Sequence, residues 1–209
     1  MPKIAPFEQY ASRYESWFSK HRFAYESELE AVRQHLPQGK KGIEIGVGSG
    51  RFAAPLGIKF GLEPSAKMRK IARERGIDVV DGVAEAIPFS DSMFDFALLV
   101  TTICFVDNLQ ASFAEAYRIL KSGAYLIIAF IDRDSPTGQA YERYKKNNVF
   151  YREATFYSAE EVISVLKKAG FRDSTLSQTI FKNLADIDRI EPTKPGYGEG
   201  SFVVIKAIK

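Results

Sequence analysis

One stretch constrains this chain more than any other. The apolar run Gly42-Ile43-Glu44-Ile45 opens directly into Gly46-Val47-Gly48-Ser49-Gly50. Glycines at three alternate positions let the backbone approach a ligand with no Cβ in the way. A strand that empties into such a turn belongs to an α/β sheet, and the rest of the chain keeps the same rhythm. Further strands are predicted over Ile58–Glu63, Ile77–Val80, Phe94–Val100 and Ala124–Ile131, one within Phe171–Phe181, and a last one over Ser201–Ile208. Phe94–Val100 is almost continuously apolar, as a strand covered on both faces should be. Between the strands lie helical periodicities. Ser65 caps a helix reaching Arg75, and Leu109, Phe113, Ala116, Tyr117 and Leu120 step toward Gly123. Ser158-Ala159-Glu160-Glu161 is a capping box whose helix closes at Gly170. Ahead of the first strand, Phe7, Tyr10, Tyr14, Trp17 and Phe18 share one helical stripe, and Tyr25, Leu29, Val32 and Leu36 make a second that Pro37 stops. Alternating strands and helices imply a mostly parallel sheet with right-handed crossovers. The last two strands, joined through the Pro/Gly-rich stretch 191–200, are predicted to pair antiparallel.

Composition removes several function classes. The 209 residues are 45% hydrophobic and 26% charged, ordinary for a folded domain of one unit. Twenty-nine basic residues against 26 acidic ones leave a net charge of only +3, with no basic run longer than a Lys pair. Nucleic acid is therefore not an expected partner. One cysteine, Cys104, with His21 and His35, makes neither a disulfide framework nor a zinc cluster, so no metal is expected. Cys104 reads as a small buried hydrophobe, and the two histidines read as surface groups. No run approaches the length of a membrane span, and Met1-Pro2-Lys3-Ile4 lacks an apolar signal core, so a cytoplasmic location is expected.

The glycine turn is not a dinucleotide fingerprint, because Arg51 stands where the third glycine should be, and no Gly-Lys-Ser/Thr follows to make a P-loop. Instead two carboxylates flank it. Glu44 precedes the first glycine by two residues, where it would repel a pyrophosphate but suit a cationic ligand. Glu63 ends the second strand, where a carboxylate can accept both hydroxyls of a ribose. The implied ligand has a ribose and a positive end.

Taken in order, Glu44–Gly50, Leu62-Glu63-Pro64-Ser65, Ala84-Glu85-Ala86-Ile87-Pro88-Phe89, Phe94-Asp95-Phe96 and Arg118-Ile119-Leu120-Lys121-Ser122-Gly123 resemble the class I S-adenosylmethionine-dependent methyltransferases, closest in flavour to the small-molecule ubiquinone/menaquinone-biosynthesis branch. The resemblance implies a Rossmann-like open sheet of seven strands, mostly parallel with an antiparallel last strand, helices on both faces and an N-terminal helical cap. Residues 1–38 would be that cap, part of the same domain as 39–209. The resemblance implies S-adenosylmethionine as cofactor and S-adenosylhomocysteine as product. It assigns the methionine end to the turn with Glu44, Gly46, Val47, Gly48 and Gly50, and the ribose to Glu63 beside Pro64. The adenine would fall to Val83, Ala84, Glu85 and Met68, with Thr101 also near the cofactor. Many relatives have aspartate where Val83 stands, so adenine recognition here would rest on backbone and Glu85. The stretch between Gly50 and Ile58 contains Pro55 and leaves room for a first crossover helix of only about two turns.

Methyl transfer from a sulfonium is an in-line displacement, and positioning alone can supply about 7–11 kcal/mol of its barrier. A general base is needed only if the acceptor arrives protonated; no catalytic residue is singled out. Candidate acceptor-binding residues are Tyr10, Tyr14, Trp17 and Phe18 from the cap, Thr102 and Phe105 after the fourth strand, and Arg133 and Tyr151 after the fifth. The stripe could equally be core, and Arg133 a solvated loop residue. The reading is methyl transfer to a small molecule. The alternatives are an RNA or protein methyltransferase of the same fold, or a non-catalytic S-adenosylmethionine-binding protein. Against the nucleic-acid enzymes, Thr101-Thr102-Ile103-Cys104 stands where an Asn-Pro-Pro-Tyr/Phe motif would.

Overall fold

A computed structural model describes residues 3–209; Met1 and Pro2, part of the N-terminal stretch read above, lie outside the described residues. Eight strands form one sheet: β1 (Gly42–Ile45), β2 (Phe60–Leu62), β3 (Asp78–Val80), β4 (Phe94–Val100), β5 (Leu120–Ile131), β6 (Arg172–Thr179), β7 (Lys194–Pro195) and β8 (Phe202–Ile208), in the order β3-β2-β1-β4-β5-β8-β6-β7. The strands from β1 to β5 pair in parallel, and β8 inserts antiparallel between β5 and β6. The sheet has one strand more than the sequence suggested. The extra strand, β7, is two residues inside the 191–200 stretch that pair with Ser177 and Gln178 of β6.

Strand alternation divides the core between two faces. Leu99 of β4, Leu126 and Ile128 of β5 and Val203 and Ile205 of β8 pack with α5 (Leu109–Ile119) and α7 (Ala159–Lys168). Leu98, Val100, Ile127, Ala129, Phe202 and Val204 face the other way, against α2 (Ala11–Lys20), α3 (Arg22–Arg33) and α4 (Ala66–Glu74). The capping box at Ser158 forms as its residues require. Ser158 Oγ accepts from the Glu161 amide at 3.2 Å, and the Glu161 carboxylate accepts from the Ser158 amide at 2.9 Å. Ser158→Ala should therefore lower stability by about 1 kcal/mol, read as a fall of roughly 2–4 °C in thermal midpoint.

Three local expectations are corrected. The first crossover is not a helix. Residues 51–57 form a chain of turns, because Pro55 has no amide to donate to the Arg51 carbonyl, which takes the Tyr25 hydroxyl instead. The aromatic stripe is not one helix either. It breaks at Tyr10 between α1 (Ala5–Gln9) and α2, so that α1 can reach α4: the Glu8 carboxylate accepts from Ser65 Oγ at 2.7 Å and from the Lys67 amide at 3.2 Å. His35 is buried rather than solvated, with Nε2 2.7 Å from Ser177 Oγ on β6.

Candidate functional site

A cavity of about 310 Å³ opens beyond the carboxyl ends of β1, β2, β3 and β4, where open α/β sheets hold ligands. Gly46 and Gly48 of the turn, Glu63, Pro64 and Met68, then Val83, Ala84 and Glu85, and finally Thr101, Thr102 and Phe105 line it, with Tyr14 from the cap. The cavity thus gathers nine of the twelve residues assigned to the cofactor and three of the eight assigned to the acceptor.

Glu63 is the anchor of the turn. Its carboxylate accepts from the Gly48 amide at 2.9 Å and from the Ser65 amide at 2.8 Å. Burial pushes its pKa above the ordinary carboxylate range, against those two amides and the Arg69 guanidinium. Each oxygen keeps a second lone pair, which is what a vicinal diol needs. Opposite, the Tyr14 hydroxyl stands over Gly48, where an added Cβ would come within 3.4 Å of it. Burial, then the Glu44 and Glu63 charges, hold the proton on Tyr14 well above the usual phenol range. Tyr14 therefore stays a hydrogen-bond donor at any physiological pH.

The floor is stitched by Thr102, whose one hydroxyl proton is shared between the Val100 carbonyl at 3.0 Å and the Gly46 carbonyl at 3.2 Å. Gly46 has φ +71°, and a side chain there would overlap Thr102. Thr101 also has a left-handed backbone, φ +49°, at the exit of β4; strain of this kind collects at ligand sites. Arg51, which disqualified the dinucleotide fingerprint, has a structural employment. It donates to Glu15 of α2 at 2.6 Å and 3.0 Å, and Arg75 joins the same carboxylate while donating to the Ser49 carbonyl. This arrangement clamps the cap and α4 onto the glycine turn.

Other assigned residues lie elsewhere. Glu44 does not reach the cavity. Alternation along β1 turns it away from Ile43 and Ile45, behind the turn, where the Ala53 amide binds it and Oε2 has no partner. Burial raises its pKa well above the ordinary carboxylate range. Val47 packs into the core against Gly61, and Gly50 packs against Ile77 and Ala72. Glu85 lines the cavity, but one oxygen is occupied by the Asp107 and Asn108 amides at 2.7 Å and 3.1 Å. Phe18 is core and Trp17 packs on His21; Tyr10 lies against Phe150. Arg133 is paired with Glu161 and Asp134. Tyr151 lines a second, smaller cavity with Cys104. Sequence reasoning missed Lys3, Ile4 and Phe7, which cover the main cavity, and Gly82, Val100, Val106 and Asp107. At Gly82 an added Cβ would come within 2.7 Å of the tip of Leu62, a closeness that the sequence does not show.

Three comparisons bear on this geometry. Residues 43–128 match the family model described as a methyltransferase domain. A crystal structure from Thermotoga maritima, described as a SAM-dependent methyltransferase and possible histamine N-methyltransferase, is 53% identical, with a TM-score of 0.97 over 99% of both chains. An uncharacterised protein of Methanocaldococcus jannaschii is 47% identical over 97% of this chain and 98% of its own. More distantly, the demethylmenaquinone methyltransferase of Chlorobaculum tepidum is 28% identical over 62% of this chain and 64% of its own.

Proposed function

The chain belongs to the S-adenosylmethionine-dependent methyltransferases, and from that premise we propose that it methylates a small-molecule nucleophile held beside the cofactor in the main cavity. The observation that carries the small-molecule reading is the way α1 closes the cavity. Ile4 and Phe7 line it, Phe7 packs edge-on to Phe105 at 5.1 Å and to Tyr14 at 5.7 Å, and Glu8 fastens α1 to α4. A covered, largely apolar hollow suits a compact guest better than a polymer.

The residues present fit the cofactor. Glu63 offers two acceptors to the ribose, Gly46 and Gly48 offer unobstructed backbone to the amino-acid end, and Met68, Val83 and Ala84 offer an apolar slot for the adenine. Bound S-adenosylmethionine supplies an electrophilic methyl group on a sulfonium. The protein's own contribution is alignment and exclusion of water. Tyr14 donates into the cavity, Thr101 and Thr102 form the wall where an acceptor must approach, and the α1 cover keeps solvent out.

Thermal-shift titration tests this directly. S-adenosylmethionine and S-adenosylhomocysteine should raise the melting temperature, and NAD should not. A radiolabelled-methyl screen against small amines, phenols and total RNA then reads the acceptor. Label confined to RNA would overturn the small-molecule reading while keeping the cofactor.

A further inference from the structure

The amino-acid end of S-adenosylmethionine carries an ammonium and a carboxylate, and the glycine turn is equipped for only one of them. Its amides are engaged. Gly46 and Val47 both donate to the Leu62 carbonyl, at 2.7 Å and 3.0 Å. Gly48 donates to Glu63 at 2.9 Å, and Gly50 to the Val47 carbonyl at 2.9 Å. The remaining amide is that of Ser49, a residue with no exposed surface that does not line the cavity. The turn's carbonyl oxygens keep spare lone pairs, which suit an ammonium and repel a carboxylate. The Glu63 charge close by repels it too. A carboxylate is therefore held at this turn only by a donor from elsewhere.

The cavity lining holds one ammonium and three hydroxyls, on Lys3, Tyr14, Thr101 and Thr102. Thr102 has already divided its one proton between two carbonyls. Lys3 Nζ lies 3.4 Å from the Val106 carbonyl, away from the turn. Thr101 follows β4 and also lines the second cavity. Tyr14 stands at the turn itself. A Cβ built on Gly48 would meet the Tyr14 hydroxyl at 3.4 Å, and no other group beyond its chain neighbours within 4 Å. That hydroxyl has no hydrogen-bond partner among the described residues. The ring beneath it is fixed. Phe18, Phe7 and Phe150 surround it at 5.2 Å, 5.7 Å and 6.2 Å between centroids. The next residue, Glu15, is tied to Arg51 of the turn and to Arg75. A donor placed in advance loses little freedom when its ligand arrives. The phenol keeps its proton at neutral pH, so it meets a carboxylate in a charge-assisted hydrogen bond.

We propose that the Tyr14 hydroxyl binds the carboxylate of the cofactor's amino-acid end, while the turn's carbonyls take the ammonium, so that Tyr14 makes the site select nucleosides whose amino-acid end is intact. This rests on the S-adenosylmethionine reading above, and it assigns Tyr14 to the cofactor rather than to the acceptor.

The test is a cycle of two ligands and two proteins, read by calorimetric titration of the whole chain at pH 7. The ligands are S-adenosylhomocysteine and its decarboxylated analogue, which keeps the adenosine, the thioether and the ammonium. Wild type should bind S-adenosylhomocysteine about tenfold more tightly than the analogue. Tyr14→Phe keeps the ring and its packing. It should bind the analogue within about twofold of wild type but S-adenosylhomocysteine about tenfold more weakly, so that the preference disappears. A preference that survives in Tyr14→Phe overturns the assignment. So does a loss of equal size for both ligands, which would make Tyr14 a packing residue. A wild type that binds both ligands equally also overturns it, and in each of these cases the cofactor reading stands. Failure of S-adenosylhomocysteine to bind wild type at all overturns both.

Discussion

Glu63→Ala should weaken S-adenosylmethionine binding by roughly 1–3 kcal/mol, about five- to 150-fold, and should lower the stability of the free protein as well. Both effects come from the same two oxygens. In the free protein they satisfy the amides of Gly48 and Ser65, and Ser65 is fully buried at the head of α4, where its own hydroxyl accepts from the Met68 amide. Alanine leaves those donors unpaired and the glycine turn unfastened. It also removes the acceptors proposed for the ribose hydroxyls. Glu63→Gln tests the same two oxygens more gently. It keeps the volume and one carbonyl oxygen, but each oxygen it replaces already accepts a backbone amide, so its NH2 group must face the N–H of Gly48 or of Ser65. The glutamine variant should lose less stability than the alanine variant and still bind the cofactor several-fold more weakly. Calorimetric titration with S-adenosylhomocysteine measures both. An alanine variant with unchanged affinity would remove the ribose assignment.

Much of this site was legible because it is local. Strand boundaries follow from apolar runs ended by glycine, and Phe94–Val100 forms as read. Glu63 could be placed because a strand end and a following proline fix its position whatever the rest of the chain does. Where the structure departs from the sequence reading, a distant partner often decides. Glu44 has the spacing of a cofactor ligand, but the phase of β1 and a turn at Ala53 determine where its carboxylate goes. Arg133 follows a strand as a substrate anchor would, yet α7 brings Glu161 to it at 2.8 Å. His35 sits among polar residues in sequence and is buried by β6, more than a hundred residues later. Phe7 differs from Tyr10 in nothing the helical period can show. A break at Tyr10 puts the first against the cavity and leaves the second exposed beside Phe150.

The clamp at Glu15 illustrates why the cap and the turn have to be considered together. One carboxylate collects Arg51 from the turn and Arg75 from the end of α4. Burial opposes its ionisation, but the Arg75, Ser49 and Arg51 hydrogen bonds prevail and its pKa falls below the ordinary range. The charge is thus retained at neutral pH, and the cap is held to the cofactor turn by electrostatics as well as by the Phe18 ring, which lies 5.0 Å from the Arg51 guanidinium.

Glu28 has the opposite electrostatics and gives the second large effect. Its pKa rises from the ordinary 4.5 to about 8 in the folded protein, from burial alone. The unfolded chain therefore loses this proton first, and stability present below pH 4.5 drains away as pH rises to about 8. At about 1.4 kcal/mol per pH unit, the loss amounts to at most about 5 kcal/mol. Glu28→Gln removes it. The variant should match wild type at pH 5 and exceed it by several kcal/mol at pH 9, measured by urea unfolding. Glu44 and Glu63 are raised in the same direction, so the variant should still lose stability in alkali, on a shallower slope. Glu15, Glu115 and Glu161 are lowered, and their contribution disappears only as pH falls below the ordinary carboxylate value. A wild-type-to-variant gap that stays constant from pH 5 to pH 9 would mean that Glu28 is ionised throughout, and burial would not be what sets its titration.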